Sequence, residues 1–289
     1  MRMLNDKDYR KKVVDNLKDP VVKGFWVNEF SKYSQKFETE ATAAIQNKVG
    51  QFVTNPLIRN ILGQPRSSLD MRKVMDEGKI LIVNLSKGKI GEDNSALLGA
   101  MIITKLQLAA MSRVDIPESE RKDFYLYVDE FQNFATDSFA NILSEARKYR
   151  LCLILAHQYI AQLIHNNSTK VRDAIFGNVG TMVSFRIGPE DAELIAKQMA
   201  PVVSEYDLIN IERFNAYIRP LIDNQPLKAF NLKTLAPVKG DLAAASAIKE
   251  LSRQKYGQDR KAVEAVIVEQ AQLGLNKASE IQPPAERSL

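Results

Sequence analysis

The run Phe124-Tyr125-Leu126-Tyr127-Val128-Asp129-Glu130 places two carboxylates directly after five apolar residues. Such a run reads as a strand buried on both faces, and the carboxyl end of a strand in an α/β sheet faces the ligand crevice. There Asp129 can hold a Mg2+ ion through water, and the ion can bridge nucleotide phosphates. Glu130, one residue on, can polarise an attacking water. Paired acids at a strand end also serve as plain caps of the strand or of the next helix, so the pair alone leaves both readings open.

A second apolar run, Leu151 to Ala156, ends in His157-Gln158. An amide at that position can hydrogen-bond a terminal phosphate or the lytic water and so report the phosphate's loss. Between the two runs lies Ser144-Glu145-Ala146-Arg147-Lys148-Tyr149. Arg147 there can reach a neighbouring subunit and stabilise charge on a transferring phosphoryl group. Arg147 and Lys148 also complement the dipole at a helix C-terminus, with no further role. His157 reads as a packed or interface residue, because no acid lies near it in sequence. Arg186, after Ser184-Phe185, can face phosphate or a neighbouring subunit, or pair with Glu190 or Asp191; Arg213 and Arg219 are undecided in the same way. In Lys87-Gly88-Lys89-Ile90-Gly91, Lys87 and Lys89 are either a surface turn or DNA-contact candidates.

Several elements must position these residues. Lys79 to Leu85, Phe124 to Val128, Leu151 to Ala156 and Val179 to Phe185 are expected strands. Helices are expected from about Ser95 to Ser112, about Asp137 to Tyr149, and Pro189 to Met199, the last with Pro near its first position. Short strands are expected near Ala216–Ile218 and Leu227–Leu232. Strands alternating with helices predict an α/β fold, mostly a parallel sheet flanked by helices. Residues 6–62 read as helical, with Asp6 as a cap and a break at Asp19-Pro20. Phe25, Trp26, Phe30, Tyr33 and Phe37 recur at helical spacing and read as a helical core; a base-stacking platform is the alternative. After Pro237 the chain turns to Ala, Lys, Glu and Gln, which predicts exposed helices or a partly ordered tail ending in Gln282-Pro283-Pro284.

Three stretches carry a family resemblance: Asp129-Glu130-Phe131-Gln132-Asn133-Phe134, then Leu143 to Tyr149, then Leu155-Ala156-His157-Gln158-Tyr159-Ile160-Ala161-Gln162-Leu163. Their order and spacing resemble the type IV coupling proteins, the TraG/TraD-like members of the HerA/FtsK group of P-loop ATPases that pump DNA. The likeness covers roughly residues 75–235. It implies a RecA-like (ASCE) sheet, ATP and Mg2+ as cofactors, and an ATPase whose hydrolysis drives a DNA translocase. It also implies Asp129 as the Walker B carboxylate that holds Mg2+ through water and Glu130 as the catalytic base. Arg147 becomes the trans-acting arginine finger and Gln158 the sensor. Such proteins form rings, usually hexamers, with DNA and secretion-system components as partners. The resemblance divides the chain into an insertion-like helical region (1–70), the C-terminal half of the ATPase domain (71–237) and a helical tail (238–289).

The departure from that family is the Walker A motif. A phosphate-binding loop needs G-x-x-x-x-G-K-[ST]. Gly78-Lys79 and Gly88-Lys89 are each followed by Ile, and neither has the preceding Gly at the required distance. The family places that strand upstream of its helical insertion, so it is expected before Met1, on a fragment's missing part or a split N-terminal half. It is a central strand, so Leu151–Ala156 and Val179–Phe185 are expected to lack a shared neighbour. The chain alone is then expected to hydrolyse ATP poorly or not at all. Two alternatives stand beside the lead: a non-catalytic or split subunit that binds DNA or assembles with a partner ATPase, and a HerA-like repair or recombination ATPase.

Composition sets outer bounds. The 289 residues are 45% hydrophobic and 26% charged, which excludes a collagenous or wholly disordered chain. The formal charge of +5 is a weak sign of an anionic partner. One cysteine, Cys152, cannot close an internal disulfide, and two histidines make no zinc cluster. No signal peptide opens the chain, and the apolar stretch Ala96–Ile103 is short of the roughly 20 residues of a membrane span. The expected location is cytoplasmic, with membrane association only through a segment outside this chain.

Overall fold

A computed structural model of the chain describes residues 2–164 and 167–272. Gln282-Pro283-Pro284 lies outside the described residues. Two compact units are present: Asp70–Leu242, and a second that joins the first 69 residues to those from Ala243 onward.

The Asp70–Leu242 unit holds the strand tips. Strand β1 (Phe124–Val128) pairs in parallel with β2 (Leu151–Leu155), in register from Phe124 opposite Leu151 to Val128 opposite Leu155. Parallel pairing needs a crossover, and the Asp137–Glu145 helix with its following turn Ala146–Tyr149 supplies it. Phe131 and Phe139, both buried, stack 4.5 Å apart and tie the crossover helix to the end of β1. The Glu92–Met111 helix begins three residues before the expected start and buries Leu98, Gly99, Ile103, Leu106 and Ala110. The Glu92–Asp115 stretch is long and apolar enough by length and composition to cross a membrane. Thr104, Lys105 and Gln107 interrupt its apolar sequence, and its buried stripe belongs to the core of this unit.

The expected sheet needs correction. The only parallel pair among the described residues is β1–β2. Strands β3 (Met182–Ser184), β4 (Asn215–Arg219) and β7 (Phe230–Lys233) form an antiparallel sheet in the order β3-β4-β7, and β5 (Leu221–Ile222) with β6 (Gln225–Pro226) forms a hairpin. Asp223 and Asn224 turn that hairpin with φ of 51° and 60°, the left-handed pair that a tight two-residue loop requires. The expected Val179–Phe185 strand contracts to β3 and runs against β4. An apolar run does not record the direction of its neighbour, and here Val183 and Phe185 stay exposed. β2 and β3 lie in separate sheets, with no strand between them among the described residues.

Lys79 to Leu85 is not a strand. Ile80 is 91% and Ile82 84% exposed, and the segment joins no ladder. A continuous apolar run implies two-sided burial only where a sheet exists to bury it. The expected Ser86–Asn94 loop is largely helical, with a single turn at Lys87–Ile90, and Gly91 with φ 84° separates it from the next helix. Around the antiparallel sheet, Ala192, Ile195, Met199, Leu208 and Ile211 form a second core, fed by the Pro189–Met199 helix.

The other unit is helical. Asp6 caps Lys7–Asp15 through Tyr9 N at 2.9 Å, and Asp19 caps Pro20–Gly24 with Pro20 at its first position. The aromatic cluster packs ring on ring, from Phe25–Trp26 at 5.4 Å to Tyr33–Phe37 at 4.6 Å. It does so on a π-helical turn, Phe25–Glu29, and a 3-10 turn, Phe30–Lys32, instead of one regular helix. Only Phe30 of the five is buried. The tail helices Leu242–Tyr256 and Arg260–Gln272 form where expected. Asn60 donates to Glu264 Oε1 at 2.9 Å, and the Cβ of any residue replacing Gly63 would come within 2.8 Å of Ile267.

Candidate functional site

The site is assembled where β1 and β2 end. The ladder continues past the strands, with Ala156 N donating to Val128 O at 3.0 Å and Phe131 N to Ala156 O at 2.8 Å. Between those bonds the chain must turn within two residues, Asp129 and Glu130. Glu130 takes φ 50°, ψ 44°, the left-handed region that costs a non-glycine residue about 1–2 kcal/mol. Asp129 Oδ1 supports the turn by accepting from Glu130 N at 3.0 Å. Strain held at a strand tip by surrounding bonds is a feature of functional sites.

That turn brings the expected carboxylate and amide together. Gln158 Nε2 donates to Glu130 Oε1 at 2.6 Å, and Gln132 Nε2 donates to Glu130 Oε2 at 2.5 Å. Both carboxylate oxygens of Glu130 are therefore engaged. Gln132 Oε1 is buried with no hydrogen-bond partner. Asn133 Nδ2 donates to the Glu130 carbonyl at 3.0 Å. Lys87 Nζ reaches into the same cluster, donating to Asn133 Oδ1 at 2.8 Å and to Glu92 Oε1 at 2.7 Å. The Lys87 ammonium holds the Glu92 carboxyl below its usual pKa.

A cleft of about 640 Å3 opens over these groups. Asp129, Glu130, Gln158, Lys87 and Asn133 line its polar end, and the Leu81–Leu85 segment with the Glu92–Met111 helix lines its apolar end. Gly99 is required in that wall, because a Cβ there would lie 2.2 Å from Phe134 Cδ1. Ser95, 1% exposed, pins the wall by donating to Leu85 O at 2.6 Å.

Not every candidate joins the cluster. Arg147 is exposed and lies just before β2, at the amino end of the pair, while Asp129 and Glu130 follow β1 at the carboxyl end. Five residues of strand, about 16 Å, separate the two edges. Arg147 does not line the cleft and stands a strand's length from the acid pair. Lys89 does not line the cleft. Arg186 is exposed at the end of β3, and no ion pair to Glu190 or Asp191 forms. Arg219 donates to Gln198 O at 2.6 Å, and Arg213 stacks over Phe214 at 4.6 Å; both are explained by packing. His157 is half-buried, and burial pushes its pKa down, partly offset by Asp191. That acid comes from a distant helix, so nothing near His157 in sequence announces it. Burial pushes the Cys152 thiol up, away from the reactive thiolate.

Sequence reasoning missed Gln132 and Asn133 as members of the site. Their signal was two amides placed directly after the acid pair. It also missed Lys87 as a lining residue, because the one-turn helix that rotates it inward has no sequence signature.

One carboxylate at a strand tip suits Mg2+ held through water, since Asp129 Oδ1 is engaged by a peptide N–H and its second oxygen is left for the ion's hydration shell. Among the described residues no three His, Cys, Asp or Glu side chains converge to hold a metal directly. The residues present fit the carboxylate side of a Mg2+–phosphate site and supply no phosphate cradle.

Residues 123–212 match the family model described as the TraM recognition site of TraD and TraG. No curated protein matches the chain. Among solved structures, VirB4 of Thermoanaerobacter pseudethanolicus is similar at 18% identity, covering 52% of this chain and 39% of that one, with a TM-score of 0.38. The bacterial conjugative coupling protein TrwBdeltaN70, in its unbound monoclinic form, is similar at 16% identity, covering 47% of this chain and 38% of that one, with a TM-score of 0.37. The chain thus spans about two fifths of the length of either structure. Asp129, Glu130, Arg147 and Gln158 all fall inside the segment, residues 123–212, that is similar to this TraD and TraG model.

Proposed function

We propose that the chain is the C-terminal portion of a ring-forming, ATP-driven DNA translocase of the conjugation and type IV secretion class, with a RecA-like ATPase domain completed by a Walker A-bearing segment outside these 289 residues. The observation that carries this reading is the Glu130 carboxylate at a parallel strand tip, strained, beside Asp129 and in direct hydrogen bond with Gln158. Glu130 takes a proton from the attacking water as the water oxygen bonds to the terminal phosphorus and that phosphorus parts from the bridging oxygen, which leaves with the nucleoside diphosphate. Asp129 would hold a hydrated Mg2+, which would supply positive charge to the phosphate oxygens. Gln158, already bonded to Glu130, senses whether the water or the phosphate is present. Arg147, placed away from its own cleft, acts in a neighbouring subunit, which fits a hexameric ring. The proposed location is cytoplasmic, with secretion components and a TraM-like accessory protein as partners.

In this conformation each oxygen of Glu130 accepts from an amide, which uses half of the acceptor capacity that a base needs for water. That favours low activity of the chain by itself. The test is ATP turnover by the purified chain, alone and mixed with a polypeptide carrying the Walker A strand. Turnover that needs the mixture, and is lost in Glu130→Gln, supports the reading. Steady turnover by the chain alone that Glu130→Gln abolishes overturns the need for a second segment. No turnover in any mixture leaves the non-catalytic assembly subunit as the better account.

A further inference from the structure

Lys87 and Lys89 stand two residues apart on one helical turn, so their side chains leave it roughly 200° apart. Lys87 alone turns into the cleft. Its ammonium is shared between Glu92 Oε1 at 2.7 Å and Asn133 Oδ1 at 2.8 Å. The other end of the Asn133 amide, Nδ2, donates to the Glu130 carbonyl at 3.0 Å, beside the Asn133 backbone N–H at 2.9 Å. That carbonyl belongs to the residue with φ 50°, whose backbone setting decides where the carboxylate points. A continuous chain of hydrogen bonds therefore runs from a basic turn to the backbone of Glu130. The opposite side of Glu130 is held by Gln158 and Gln132.

The chain is breakable at one link. Lys87 is 45% and Glu92 73% exposed at their side chains, so solvent and solutes reach the ammonium. Phosphate oxygens make strong charge-assisted bonds to ammonium groups and compete for it directly. The ammonium carries a third N–H, so an anion removes the donor from Asn133 Oδ1 only by drawing the Lys87 side chain outward. The Asn133 amide is then free to turn, and the Glu130 carbonyl loses one of its two donors.

We propose that Lys87 is a positioning residue for Glu130, acting through Asn133, and that a phosphate group capturing the Lys87 ammonium loosens Glu130 from its engaged conformation. This rests on the reading of Glu130 as the base. The phosphate can come from a nucleic-acid backbone or from the terminal group of a nucleotide, and both present the same oxygens.

The test uses the isotopically labelled 289-residue chain, following the Glu130 backbone amide and the side-chain amides of Gln132, Asn133 and Gln158 by nuclear magnetic resonance. Lys87→Met is expected to shift the Asn133 and Glu130 signals, Lys87→Arg to keep them near wild type, and Lys89→Met to leave them in place. Titration with sodium tripolyphosphate or with oligothymidylate is expected to move the same signals in wild type but not in Lys87→Met. A response to tripolyphosphate assigns the anion to a nucleotide, and one to oligothymidylate assigns it to nucleic acid. Asn133→Leu cuts the chain at its middle: the Lys87 side-chain signal still responds to the anion, and Glu130 no longer does. The proposal is overturned if Lys87→Met leaves Glu130 and Asn133 unmoved, if Lys89→Met moves them as far, or if neither anion shifts them. None of these readouts needs hydrolysis, so the relay can fail while Glu130-dependent turnover stands, and the reverse.

Discussion

At the amino end of β1 and β2, Arg113 is fully buried and donates to Tyr149 O at 3.1 Å and Lys122 O at 2.6 Å, joining the two segments that enter the strands. Asp76 lies 3.1 Å from its Nε, in an ion pair without hydrogen-bond alignment, and also pairs with Arg72, which reaches Asp115 and Ser112. At the carboxyl end of the same strands, the groups are open to a 640 Å3 cleft, Glu130 sits in a left-handed conformation, and Gln132 Oε1 has no partner. Both edges hold a left-handed residue, Arg150 with φ 55° and Glu130 with φ 50°, and buried polar atoms without hydrogen-bond partners, but the amino edge closes over buried Arg113 while the carboxyl edge opens into the cleft. The difference teaches that the same pair of strands is anchored at one end so that it can present costly side chains at the other.

The comparison makes Arg113→Ala the most damaging change. It leaves the Tyr149 and Lys122 carbonyls without their donor and Asp76 with Arg72 alone, and a loss of about 2–5 kcal/mol in denaturant unfolding is expected. A loss no larger than that of an exposed ion pair, about 1 kcal/mol or less, breaks the comparison. Gly99→Val comes next. Its Cβ would meet Phe134 Cδ1 at 2.2 Å and Leu85 Cδ1 at 3.1 Å, so the cleft wall must shift at a cost of about 1–3 kcal/mol. A crystal structure of that variant should show Phe134 displaced.

At the open edge the sign reverses. Glu130→Gly removes the left-handed penalty but adds freedom to the unfolded chain, so stability should hold or rise by up to about 1 kcal/mol, while any turnover gained by mixing with a Walker A-bearing polypeptide is lost. A clear destabilisation would show that the amide bonds to Glu130 outweigh its strain. The smallest effect is on pH. Burial lowers the His157 pKa in the fold below its ordinary value near 6.5. The unfolded chain then binds the proton more readily. Its contribution is complete above about pH 6.5 and is lost as pH falls from there toward the folded pKa. The melting temperature of wild type should therefore fall more steeply on acidification than that of His157→Gln. Parallel curves would remove His157 from the account.

Much of the site was legible in sequence. Asp129, Glu130 and Gln158 were identified as strand-tip residues, and the structure joins two of them by a 2.6 Å hydrogen bond. Local signals suffice there, because strand ends are marked by where apolar runs stop. Asp6 and Asp19-Pro20 were legible for the same reason, since a helix cap acts within its own turn. Lys79 to Leu85 was misread because an apolar run says that a segment can be buried, and a partner strand decides whether it is. Arg113 gave no signal, because its partners Asp76, Lys122 and Tyr149 are spread across the sequence.

By itself, then, the sequence determined the acid pair, the crossover helix and the capped helical region, which depend on residues within a turn or one strand length, and it marked Gln158 as a strand-tip amide, whose bond to Glu130 the parallel pairing made. Only the tertiary structure decided that β3 leaves the parallel pair for an antiparallel sheet, that Arg147 stays out of the cleft lining, and that Lys87 and not Lys89 is tied to Glu130. Those outcomes depend on which backbone edges and which distant charges meet, and no local pattern encodes that meeting.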